Sequence, residues 1–155
     1  MKKPDSRYEV ARRLLIFWCV FIGVGAVAGS AGMLVAPDGS AMGMQALLPY
    51  FQVLPFAGVL FQDFVFPGIS LLIVNGLTNL TAAFLIIRRK KCGVIAGGIF
   101  GVTLMMWITI QFVIFPPNFM STIYFIFGFI QAATGYAAYV FLKQDLFAAD
   151  ASEYP

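Results

Sequence analysis

Four long apolar runs, each closed by prolines or basic residues, limit what this chain can become. The first goes from Leu14 to Ala36 and stops at Pro37-Asp38-Gly39. The second begins at Pro67 or Gly68 and ends at Ile87, against Arg88-Arg89-Lys90-Lys91. The third goes from Cys92 or Gly93 to Phe115 and stops at Pro116-Pro117-Asn118. The fourth goes from Phe119 to Leu142 and ends at Lys143. About 20 consecutive apolar residues cross a hydrocarbon core of ~30 Å, and each run meets that length. Of 155 residues, 61% are hydrophobic and 11% charged, whereas a soluble domain carries about 25% charged residues. So little polar surface cannot wrap a water-soluble core of this size. The expected fold class is all-α, an integral membrane four-helix transmembrane bundle. It divides the chain into a basic arm (1–13), one transmembrane domain (14–142, with spans 14–36, 67–87, 92–115 and 119–142) and a tail (143–155). The basic start before the first run also fits a signal peptide. The length of the run and the lack of a clean A-x-A site favour an uncleaved helix.

The segment 37–66 is apolar and aromatic but broken by Pro49 and Pro55. No stretch within it is long enough to span. One or two short helices at the interface are expected, forming a cap on the outer face, because irregular backbone at membrane depth must be covered by protein or water. Charge sets the orientation. All ten Lys and Arg residues lie in the N-terminal arm, between the second and third runs, or after the fourth. With four crossings these segments share one face, which the positive-inside rule places in the cytoplasm together with both termini. The short connections make the second, third and fourth spans antiparallel neighbours. The polar, acidic tail from Asp145 is expected to be mobile.

Chemistry has few carriers. The chain has no histidine, which removes His-ligated metals, bis-His haem and a His general base. No metal site or cofactor is expected. Cys19 and Cys92 form no CxxC pair and read as small apolar fillers. The basic residues form no stripe with interleaved aromatics, so no nucleic-acid partner is expected. The spans contain no acidic or basic residue, which argues against proton-coupled transport.

Neutral amides remain, and these should face inward because an unpaired amide in hydrocarbon is costly. Asn75 and Asn79 are four residues apart and share a helix face, as do Trp107 and Gln111. Asn79 and Gln131 fall at similar depth near the bilayer middle, and Asn75 and Gln111 lie nearer the outer leaflet. The second to fourth spans are expected to close around a neutral polar patch opening outward. Asn75, Asn79, Trp107, Gln111 and Gln131 are thus candidates for binding an amphiphile, or else for plain interhelical hydrogen bonds. Trp107 also fits an aromatic belt. Gly93, Gly97 and Gly101 recur every four residues, with Gly25 and Gly29 in the first span and Gly128 in the fourth. They suit close packing within the bundle or a homodimer face. Arg88, Arg89, Lys90 and Lys91 suit a topology anchor or an anionic-lipid contact. Nothing in the sequence brings Asp38 and Asp63 together as an acid–base pair.

Phe66-Pro67-Gly68, Asn75-Gly76, Trp107-Ile108 with Gln111, and the series Tyr124, Gly128, Gln131, Gly135 lie in the stretch 66–139. That stretch resembles small four-helix bacterial membrane proteins of the broadly DoxX-like type. The resemblance implies this fold and a bacterial cytoplasmic (inner) membrane, and no settled activity. The chain departs from vitamin K epoxide reductase-like bundles in lacking their redox cysteine pair. It departs from sterol-isomerase-like bundles in lacking their histidine and acidic residues. The expected function is therefore non-enzymatic. The chain would bind membrane lipid or an apolar small molecule, or serve as a homodimer or a subunit of a membrane complex. The alternatives are a transporter or channel for a neutral solute, and a membrane enzyme on a lipid-soluble substrate.

Overall fold

The structure, a computed structural model, describes residues 6–150, with side-chain surroundings through 147. Four helices in it are long and apolar enough to cross a membrane. The first span is Ser6–Val35, the second Val65–Ile87, the third Lys91–Ile114 and the fourth Phe119–Asp150. The only proline in any of them is Pro67, in the first turn of the second span, where a helix has no use for the missing N–H. Consecutive spans are neighbours and the first closes the ring against the fourth. The second and fourth therefore face each other across the centre. Large apolar side chains cover the outside: Ile99 is 56% exposed, Phe129 60% and Val113 83%. Acyl chains cover such a surface where water would not.

Two helix limits differ from the sequence expectation. The first helix starts at Ser6, within the basic arm. Tyr8 and Ala11 are buried there, and Glu9 accepts from Arg12 one turn later at 2.9 Å. Lys2 and Lys3 lie outside the described residues. The fourth helix continues through Asp150, past the point where a mobile tail was expected. Leu146-Phe147-Ala148-Ala149 contains no glycine or proline to stop it. Residues 151–155 lie outside the described residues.

Each connection has a local cause. At the end of the second span, Lys90 N–H donates to Leu85 O at 2.9 Å and Arg89 N–H to Ile86 O at 3.0 Å. Arg89 takes a left-handed φ of 54° to make this closure, a place usually filled by glycine. After Pro116-Pro117, the Asn118 side chain accepts from the Ser121 amide at 2.8 Å and caps the fourth helix. The segment 37–66 folds into two 3-10 stretches, Ser40–Met42 and Gln45–Val53, and one α-turn, Ala57–Leu60. It caps the bundle by packing Phe51 on Phe64 and Phe115, ring centres 5.6 and 5.0 Å apart. The Phe64 amide donates to Pro37 O at 2.8 Å and ties the two ends of the cap together.

Small residues set the helix crossings. Gly98 lies against Gly135, and Gly101 sits between Gly128 and Ala132, so the third and fourth spans meet backbone to backbone. A methyl group on Gly101 would lie 2.5 Å from the Ala132 nitrogen. Gly93 lies against Leu85 and Ile86 of the second span, and Gly97 against Leu15 and Cys19 of the first. Gly29 faces Leu71, Gly25 faces the Tyr124 hydroxyl, and Gly128 also meets Met105. All six glycines singled out in the sequence thus have neighbours inside the chain.

Candidate functional site

Four threonine hydroxyls in the spans are satisfied on their own helices. Thr78 donates to Val74 O at 2.6 Å, Thr103 to Ile99 O at 3.2 Å, Thr109 to Met105 O at 2.8 Å and Thr134 to Ile130 O at 2.7 Å. Such back-bonding lets a threonine face lipid. An amide has two donors and an acceptor to place, more than one neighbouring carbonyl satisfies. Asn75, Asn79 and Gln131 are accordingly 1%, 0% and 0% exposed.

Gln131 stands at the centre. Its Nε2 donates to Asn79 Oδ1 of the second span at 2.7 Å and to Gly97 O of the third at 2.8 Å. It also lies 3.4 Å from Cys19 Sγ of the first. One side chain thus reaches all three other spans, and the Asn79 bond crosses the bundle diagonal. Gly97 makes this possible, because a side chain there would fill the space beside Cys19.

The second span changes register here. Leu72–Leu77 is a π-helical segment between α-helical stretches, a wider turn that recurs at functional sites. Thr78 and Asn79 place side-chain donors on the carbonyls of Val74 and Asn75, the latter at 2.9 Å. The Asn75 side chain then points inward with neither its nitrogen nor its oxygen partnered. Gln131 Oε1 and Ser30 Oγ are also buried without a partner. Val27 lies against Gly76 and Gly29 against Leu71, so Ser30 is on the stretch of the first span that faces the π segment.

Trp107 and Gln111 stand apart from this cluster. Trp107 packs beside Ile22, Leu104 and Ile108. Gln111 Oε1 accepts from the Ser121 hydroxyl at 3.2 Å and links the third and fourth spans near the cap. Sequence reasoning missed Ser30 and Cys19. A count of polar atoms in the first span, with the expectation applied to the other three, finds both.

The charged residues serve the two ends. Glu9 accepts from Arg12 and from Arg89, at 2.9 and 2.8 Å, which ties the first span to the turn after the second. Arg88 lies 5.0 Å over the Phe84 ring, and Lys90 and Lys91 are exposed. At the cap end, Asp38 accepts from the Ser40 hydroxyl at 2.6 Å and its amide at 3.0 Å. These bonds hold its carboxyl below the usual range. Asp63 accepts from the Val65 amide at 2.9 Å. Each carboxylate is engaged within its own segment.

No protein-family model, curated protein or solved structure matches the chain. The fold and the cluster define a class: a four-span membrane bundle with an uncharged, buried amide centre.

Proposed function

We propose that this is a non-enzymatic integral membrane protein that binds a lipid or an apolar small molecule by its polar end at the centre of the bundle. One observation carries the reading. Four polar atoms, on Asn75, Gln131 and Ser30, are buried without partners in apolar surroundings. Each such atom costs about 1–3 kcal/mol if left unmet, and the site has no charge to draw an ion. A neutral ligand with hydrogen-bonding groups at one end and an apolar body meets both conditions. The π-helical segment supports the same reading, since it aims Asn75 inward. The distribution of basic residues supports an orientation with both termini in the cytoplasm. With the DoxX-like resemblance it points to a bacterial inner membrane.

The test is native mass spectrometry of the full chain released from mild detergent. The wild type should carry a small molecule of defined mass, and Asn75→Leu should reduce its occupancy roughly tenfold, as expected for lost hydrogen bonds in a dry site. A wild-type chain that carries nothing but water, or an Asn75→Leu chain that keeps the molecule, overturns the reading.

A further inference from the structure

At the basic end a groove of 580 Å³ runs between the first and fourth spans. Its walls are Val10 and Leu14 on one side and Ala133, Ala137 and Phe141 on the other, and Arg7 and Ser6 lie at its end. From this arrangement we infer a binding site for one anionic phospholipid, with its phosphate at Arg7 and an acyl chain along the groove.

The dimensions and the chemistry agree. From Ser6 to Leu14 the helix rises about 12 Å, as it does from Ala133 to Phe141. Both walls therefore run the same distance from the polar end into the apolar zone. The Thr134 hydroxyl in the wall donates to Ile130 O at 2.7 Å, so it adds no unmet polarity. Ala133 and Ala137 leave room where a larger residue would close the groove. An acyl chain fills such a channel, and a headgroup then lies level with Arg7. A guanidinium carries five N–H donors and suits phosphate geometry, so Arg7 serves a lipid phosphate alongside a protein contact.

Charge selects an anionic headgroup. At this end the described residues include Arg7, Arg12, Arg13, Lys143 and the four basic residues from Arg88 to Lys91, against Glu9, Asp145 and Asp150. Glu9 is engaged with Arg12 and Arg89. The field at the groove mouth is positive.

This site is distinct from the Asn75 cluster, and the experiment keeps the two apart. The delipidated full chain in mild detergent is mixed with phosphatidylglycerol or phosphatidylcholine, and lipids retained at fixed collision energy are counted by native mass spectrometry. One phosphatidylglycerol should be retained about tenfold better than phosphatidylcholine, and Arg7→Gln should remove that preference. Ala133→Trp should displace either lipid. Val10→Trp, from the opposite wall, should do the same. Both positions are exposed on the membrane-facing side, so the bundle keeps its fold. Asn75→Leu should leave the preference for phosphatidylglycerol over phosphatidylcholine in place, because that preference comes from Arg7. Wild-type retention in Arg7→Gln and in both tryptophan variants overturns the site. So does a wild-type dimer that either tryptophan variant converts to monomer, which would make the groove a seat for a second copy.

Discussion

The interface between the third and fourth spans and the centre of the second span solve the same problem in opposite ways. Between the third and fourth spans, Gly98 with Gly135 and Gly101 with Gly128 bring two backbones into direct contact. In the second span, the π segment presents a full amide, Asn75, with nothing to bond it. Close packing leaves no room for adjustment, since interiors are packed as densely as organic crystals. An unpartnered amide marks a place where the fold forgoes stability. The rigidity of one region carries the polarity of the other, and Gln131 lies where they meet.

Substitutions sharpen this contrast. The largest loss is expected for Gly101→Leu. A side chain there meets the Ala132 backbone nitrogen and the Gly128 carbonyl, and overpacking of this kind costs about 3 kcal/mol or more. Thermal unfolding in detergent should show it as the most destabilised variant. A near-neutral Gly101→Leu would mean that the third and fourth spans separate easily. Gln131→Leu comes next. It removes bonds to Asn79 and Gly97, for about 1–2 kcal/mol at the usual strength of interhelical bonds in membranes. Asn75→Leu should cost less than ~1 kcal/mol, because the side chain it removes has no protein partner to strand. Equal losses for Gln131→Leu and Asn75→Leu, measured in the same detergent, would break the distinction between a bonded and an unbonded amide. The smallest change is expected for Arg89→Gly. It relieves a left-handed φ, worth about 1 kcal/mol, and loses the Glu9 pair, worth ~0–1 kcal/mol. The two nearly cancel, so the unfolding temperature should barely move.

Much of the bundle was legible before any coordinates. Apolar length marked the four spans, and the prolines marked the broken cap. The cost of burying amides placed Asn75, Asn79 and Gln131 inward. Helix spacing alone could not separate the pairs at the next level. Trp107 and Gln111 share a face just as Asn75 and Asn79 do, yet Gln111 reaches Ser121 near the cap instead of the centre. The four-residue glycine repeat was visible, but not its division of labour. Gly93 and Gly97 face the second and first spans, whereas Gly98, next to Gly97, meets Gly135 of the fourth. The tandem Gly97-Gly98 was the available signal for two faces on one helix. Neither the π segment nor the left-handed Arg89 had a local signature, since both depend on what packs against them.

By itself, the sequence determined that the chain has four helices long and apolar enough to cross a membrane, and where its basic residues fall between them. Those follow from additive quantities, the length of apolar runs and the positions of charges, which do not depend on neighbours. Only the tertiary structure decided which polar atoms bond and which are left open. A hydrogen bond across the bundle needs two side chains at one depth and one azimuth. Azimuth is set by how four helices pack, through residues as distant as Cys19, Asn79, Gly97 and Gln131.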